Sequence, residues 1–182
     1  MHERVSLVAS PVWDLPCASG YYYSVIIAHR RNSGMSPADF SGRRLAYNDA
    51  KSQSGWAAPL DWALGNAVTF ADYLHTGAHR GSARAVADGA ADIAAIDAVT
   101  WAMIRRWDRF SDRLIEVAYT AHTPALPYIA APGADVLALR QALGDAIAAL
   151  SRSDRTTLCL RGVTFLPARF YLAIATPPPP PD

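Results

Sequence analysis

Apolar positions along the chain alternate between short β-rich runs and stretches with helical spacing. Val5 to Ala9 is apolar, and Tyr22 to Ala28 (YYSVIIA) predicts a buried strand. Ser36 followed by Pro37 predicts one helical turn that Gly42 closes, and Arg44 to Asn48 predicts a further strand. A helical stretch runs from Trp56 to about Leu64, and Ala67 to Phe70 is a weaker strand. Ser82 to Asp88 predicts a helix stopped by Gly89, Asp92 to Ile96 a strand, and Val99 to Trp107 a helix. Leu114 to Thr120 and Tyr128 to Ala131 predict strands separated by Pro124 and Pro127. Ala134 to Leu150 carries the clearest period of about 3.6 residues, through Val136, Leu139, Leu143, Ile147 and Leu150. A short helix is expected over Ser153 to Leu160 with Ser153 as its cap, and Pro177 to Pro181 reads as a polyproline end or spacer. Strand, loop and helix in repetition predict an α/β domain with a parallel or mostly parallel sheet. Ligands of such sheets sit at the carboxyl ends of the strands, where loops enter helices.

Composition narrows the classes. At 182 residues and 51% hydrophobic, the chain can bury a core as one domain or two small lobes. A formal net charge of +1 excludes a generally basic nucleic-acid binder and an acidic disordered tail protein. Every apolar run is broken before the roughly 18–20 residues that span a bilayer. The opening MHERVSLVASPVW does not follow the order of an export signal. Cys17 and Cys159 are too few and too far apart for a disulfide framework or a zinc knuckle, and are expected as reduced, partly buried thiols.

The loop from Asn48 to Gly55 holds the most chemistry. It leaves a strand, enters a helix, and carries Ser52, Gln53, Ser54 and a close-approach glycine, Gly55. The first amides of a helix have no intrahelical partner and a partial positive charge, so with two hydroxyls beside them they suit a small oxyanion. Simple N-capping by Ser52 or Ser54 is the plainer alternative. His79 sits between a strand and a helix, where either ring nitrogen can serve an anion, or the ring is merely solvated. Asp97 ends a strand and would orient a ligand hydroxyl or cap the next helix. Of Tyr21, Tyr22 and Tyr23, alternation turns Tyr22 away from its neighbours. Ser54, His79 and Asp97 also stand in an acceptable order for a hydrolytic triad, but the Gly-x-Ser-x-Gly elbow is missing. His2, His29, His75, His79 and His122 are scattered, so no metal site is expected.

Five segments together resemble the phosphate/phosphite/phosphonate (PhnD-like) substrate-binding proteins of ABC transporters. They are Gly20-Tyr21-Tyr22-Tyr23-Ser24-Val25, Ala38 to Asn48 (ADFSGRRLAYN), Ser52-Gln53-Ser54-Gly55-Trp56, Thr76-Gly77-Ala78-His79, and Ala85 to Asp97 (AVADGAADIAAID). The resemblance runs from about Val5 to about Leu172. It implies a type II periplasmic-binding-protein-like α/β fold of two lobes joined by crossing strands. Residues 1–35 would be a remnant of the first lobe with the first crossover (Tyr22 to Arg30), and 36–120 the ligand-binding second lobe. Residues 121–176 would hold the second crossover (Leu126 to Ala131) and the return, with 177–182 as the tail.

By position, the resemblance assigns oxyanion binding to Ser52, Gln53, Ser54, His79 and Tyr22; local sequence adds Gly55 and Asp97. It implies a non-enzymatic solute-binding component of an uptake system, with a phosphate, phosphite or phosphonate ligand, an ABC permease as partner and no cofactor. Relatives usually carry roughly 80 further residues before the segment matching Val5, so the first lobe is expected to be incomplete and an exposed sheet edge could pair two copies. Val99 and Leu126 fall where some members hold an amino group with acidic residues. The family is periplasmic, whereas the opening residues leave a cytoplasmic place open. Two other readings stand beside it: a cytoplasmic enzyme on the same scaffold, and a truncated remnant that binds nothing.

Overall fold

The structure is a computed structural model that describes residues 4–181. Its elements, in chain order, are β1 (Ser6–Trp13), β2 (Tyr21–Tyr22), β3 (Ser24–His29), β4 (Arg44–Tyr47), α1 (Ala58–Gly65), β5 (Asp72–His75) and α2 (His79–Asp88). Then follow β6 (Ile93–Asp97), α3 (Ala98–Trp107), β7 (Leu114–Tyr119), β8 (Thr123–Pro124) and β9 (Tyr128–Ala130). α4 (Val136–Ala149), α5 (Arg152–Leu158), β10 (Leu160–Thr164) and α6 (Ala168–Leu172) complete the chain. They divide into two compact units, one from the chain start to Tyr22 plus His122–Ile174, the other Tyr23–Ala121 plus the tail from Ala175.

In the first unit β1 is the middle strand of an antiparallel sheet ordered β10-β1-β9. β2 and β8 form a separate ribbon, with Tyr22 opposite Thr123. α4 packs on β1 and β10, and its Arg140 Nε donates to the Val8 carbonyl at 2.7 Å. The helical period read across this segment buries Ile147 while leaving Leu139 largely exposed. The α5 cap is Ser151, whose hydroxyl accepts from the Asp154 amide, instead of the expected Ser153. β10 and α6 follow where no element was expected; β10 is too mixed in polarity (LRGVT) to declare a strand by pattern.

The second unit is a five-stranded sheet ordered β5-β4-β6-β3-β7. β4 runs parallel to β5 and β6, while β3 is antiparallel to both β6 and β7. One strand therefore opposes four, which makes the sheet mixed. Five of the six residues of β3 are buried, so this strand needs cover on both faces and lies inside the sheet. The chain enters this unit at Tyr23 and leaves it at Ala121. Ala67 to Phe70, expected as a strand, is irregular: Ala67 takes a left-handed φ of 55° and Val68 N–H returns to the Ala63 carbonyl. The edge strand is instead β5, five residues later in the polar-flanked DYLH.

Turn chemistry follows the sequence closely. Pro37–Phe40 is a 3₁₀ turn in which Asp39 reaches back to the Ser36 amide at 2.7 Å, a capping box that fixes the entry to β4. Gly89 ends α2 with φ 80°, a left-handed cap only glycine takes without strain. Phe40, Leu45, Trp56, Ile26 and Ile93 form the centre of the core, none more than 1% exposed. The polyproline stretch, read as a free end or spacer, is held on this unit: Trp56 Nε1 donates to the Pro178 carbonyl at 2.9 Å.

The core assignment predicts a contrast between two leucines. Leu45→Ala, at a position of 0% exposure, should cost roughly 2–5 kcal/mol in urea unfolding. Leu64→Ala, at 81% exposure, should stay within about 0.5 kcal/mol of the parent. Equal losses at the two positions would contradict this core.

Candidate functional site

Three helices of the second unit begin at the carboxyl ends of three parallel strands: α1 after β4, α2 after β5 and α3 after β6. Their first turns differ in what satisfies them. Ahead of α1 lies a wide π-type turn, Gln53–Ala57, in which Ser52 is the N-cap. Ser52 Oγ accepts from Gly55 N–H at 3.0 Å, and the Ser52 carbonyl accepts from the amides of Trp56 and Ala57 at 3.2 and 3.0 Å. The amides of this turn are thus largely spent inside it, and Ser52 acts as a cap. At α3, Asp97 Oδ1 accepts from Thr100 N–H at 2.8 Å. The start of α2 has Ala78 as its N-cap and no side-chain cap at all, leaving its leading amides without a capping partner.

Ser54 and His79 meet beside that uncapped start. Ser54 Oγ and His79 Nε2 are 2.8 Å apart, and Ser54 is only 7% exposed. Two anchors bring them together. Ser24, buried at the start of β3, donates from Oγ to the Ser54 carbonyl at 2.9 Å. Thr76 ties the α2 entry to the end of β4, because its amide and its hydroxyl both donate to the Tyr47 carbonyl at 2.9 Å. The same hydroxyl lies 2.7 Å from the buried Ser82 Oγ. A Cβ at Gly81 would stand 2.9 Å from the Thr76 carbonyl, so this close join requires glycine.

Gly55 is needed for a related reason. A Cβ there would lie 1.9 Å from Asn48 Oδ1 and 3.0 Å from the His79 ring, so its close approach is to protein atoms of the site itself. Asn48 Oδ1 is a buried side-chain atom without a hydrogen-bond partner, and His79 Nδ1 is buried as well. Burial pushes the His79 imidazole below its ordinary pKa, with the Asp97 charge and the Ala95 backbone pulling it partly back. The ring is therefore neutral near pH 7. The direction of the Ser54–His79 bond follows the ring's tautomer: with the proton on Nε2 the hydroxyl proton would be free for an incoming oxyanion, and with the proton on Nδ1 the hydroxyl donates to Nε2. Arg80, next along α2, is committed to Asp108 and brings no free cation.

Of the residues expected to share a site, Ser52, Ser54, Gly55 and His79 form one cluster. His79 is the first residue of α2 itself, three positions before the expected helix start. Asp97 caps α3 and reaches His79 through its charge. Gln53 opens the π-type turn and is half-buried, its carbonyl accepting from Ala58 N–H. Tyr22 is buried in β2 of the first unit. Asn48, Ser24, Thr76 and Ser82 were not singled out individually. Only Thr76 carried a local signal, as the residue before a turn glycine with φ 78°.

Among the described residues no group of three or more His, Cys, Asp or Glu could hold a metal; His2 lies outside them. No helix of the described residues is long and apolar enough to cross a membrane. Cys17 and Cys159 form no disulfide and are half-buried.

Several solved structures share this fold. PhnD1 from Prochlorococcus marinus (MIT 9301), in complex with methylphosphonate, superposes with a TM-score of 0.78 at 13% identity, over 92% of this chain and 68% of that one. XAC2383 from Xanthomonas citri, bound to ATP, gives 0.70 at 19% identity, over 94% and 69%. A binding protein component of an ABC phosphonate transporter from Pseudomonas aeruginosa (PA3383) gives 0.69 at 17%, over 87% and 56%. At these identities the likeness is one of fold, the α/β architecture of periplasmic binding proteins. Comparison with curated proteins finds no match. Residues 5–168 match the family described as the phosphonate-binding periplasmic substrate-binding protein of ABC transporters. With most of its length matched in this way, the chain belongs to that family of periplasmic phosphonate-binding proteins.

Proposed function

We propose that this chain binds a small tetrahedral phosphorus oxyanion (phosphate, phosphite or a phosphonate) as the solute-binding component of an ABC uptake system. The observation that carries the reading is the Ser54–His79 pair at 2.8 Å beside the uncapped first turn of α2. Hydroxyl, imidazole and helix-start amides together supply donors at one place, and buried donors to an anion are worth more than donors in water. Two structural relatives support the class of ligand, since the methylphosphonate and the ATP bound to them both present tetrahedral phosphorus oxyanions. A permease partner follows from membership of the family.

The hydrolytic alternative finds less support. A general base needs its second ring nitrogen held by an orienting group. Here no carboxylate hydrogen-bonds His79 Nδ1, and Asp97 Oδ1 is engaged with Thr100. Activation of Ser54 as a nucleophile therefore lacks its third member.

A neutral buried histidine has a consequence for stability. With its pKa depressed in the folded protein, His79 contributes fully above the ordinary imidazole value of about 6.5, and the contribution fades as pH falls toward the lower folded value. Urea unfolding between about pH 7 and about pH 5 should show a steeper loss for the parent than for His79→Gln. Parallel curves would reject a neutral, buried imidazole.

Binding itself is tested by isothermal titration with methylphosphonate, phosphite, phosphate and sulfate. At least one phosphorus oxyanion should give saturable heat. Ser54→Ala should then weaken it roughly ten- to a hundredfold, as expected for one charge-assisted hydrogen bond of about 1.5–3 kcal/mol. Silence across the panel from folded protein, or undiminished binding by Ser54→Ala, would overturn the reading.

A further inference from the structure

The tail carries a regularity of its own. Over residues 177–181 the half-buried positions are Pro177 and Pro180, with Pro178, Pro179 and Pro181 exposed. A polyproline II helix has about three residues per turn, so positions three apart share one face. Two half-buried prolines at that spacing are what a helix of this kind with one face toward the protein would give. Its carbonyls have no internal partners, which makes them free acceptors for a neighbouring donor.

The protein supplies that donor. Trp56 is 1% exposed, and a buried indole N–H needs an acceptor. The acceptor is the Pro178 carbonyl, 2.9 Å from Nε1 and 122 residues away in sequence. Around the indole stand Tyr47, with ring centroids 4.9 Å apart, and Tyr73, at 5.2 Å. Aromatic rings with an indole donor aimed at a proline carbonyl are the chemistry by which proline-rich segments are recognised.

We infer that Trp56, Tyr47 and Tyr73 form a polyproline-recognition site, and that its occupant is this chain's own Pro177–Pro181. The site is distinct from the Ser54–His79 pair and needs no oxyanion. It does touch that region through the chain, because Trp56 belongs to the same π-type turn as Ser54 and Gly55. Docking the tail thereby fixes the indole on which this turn is seated.

The test uses the full chain with residues 177–181 exchanged for Gly-Ser-Gly-Ser-Gly, in buffer free of phosphorus oxyanions. The Trp56 indole N–H is followed by NMR and assigned with Trp56→Phe. In the parent its exchange with solvent should be at least about tenfold slower than in the exchanged chain, the loss expected when a buried donor loses its only acceptor. A free peptide of the sequence TPPPPPD should then return the resonance toward its parental position at a few mM, about the effective concentration a short tether provides. Identical exchange in the two chains would overturn the inference, as would a resonance unmoved by the peptide at that concentration. Either result is independent of whether a phosphonate binds.

Discussion

The hydrogen bond between Ser54 and His79 is the constraint on which the site depends, because it can form only if two separate loops are held at fixed distance. Ser54 is fixed from behind by Ser24, through a bond to its carbonyl that leaves the hydroxyl free to face His79. His79 is fixed by the Thr76 bonds to Tyr47, which set the start of α2 against the end of β4. Neither anchor resembles a ligand group. Both are short polar contacts, the first buried and the second partly so, and removing one partner of a buried contact leaves the other unsatisfied at about 1–3 kcal/mol.

Specialisation of the three helix starts follows from the same economy. Every helix leaves amides to be satisfied, and here two of the three first turns are closed internally, by Ser52 and by Asp97. The third is left open next to a neutral imidazole and a hydroxyl. An anion held there meets dipoles and donors with no full cation, since Arg80 is tied to Asp108. The proposed site would hold an anion without a strong long-range field, in keeping with a chain whose net charge is +1.

Much of the second unit was legible in the sequence, for identifiable reasons. The runs RLAYN and DIAAI became the inner strands β4 and β6, whose buried residues are consecutive apolar ones, and LIEVAYT became the edge strand β7, of which only Leu114 is buried. Ser36-Pro37 and Gly89 marked turns through chemistry that is local. Where tertiary partners decide, the pattern failed. β5 is a half-exposed edge strand whose polar residues give no period, and Ala67 takes a left-handed turn that no alanine announces. In the site, the Asn48 to Gly55 loop and His79 stood out as residue types. What escaped was the division of labour: Ser52 caps, Gly55 makes room for Asn48, and Ser24 reaches Ser54 from 30 residues away. The polyproline tail was recognised by composition, but its docking on Trp56 depends on a partner 122 residues distant.

The most direct measurement is NMR of the His79 imidazole in the full chain during titration with methylphosphonate, the ring signals assigned with His79→Gln. If Ser54 and His79 hold the oxyanion, the His79 ring resonances move saturably, with the same midpoint as the heat of binding. Saturable heat with an unmoved His79 ring would place the ligand elsewhere and contradict the account.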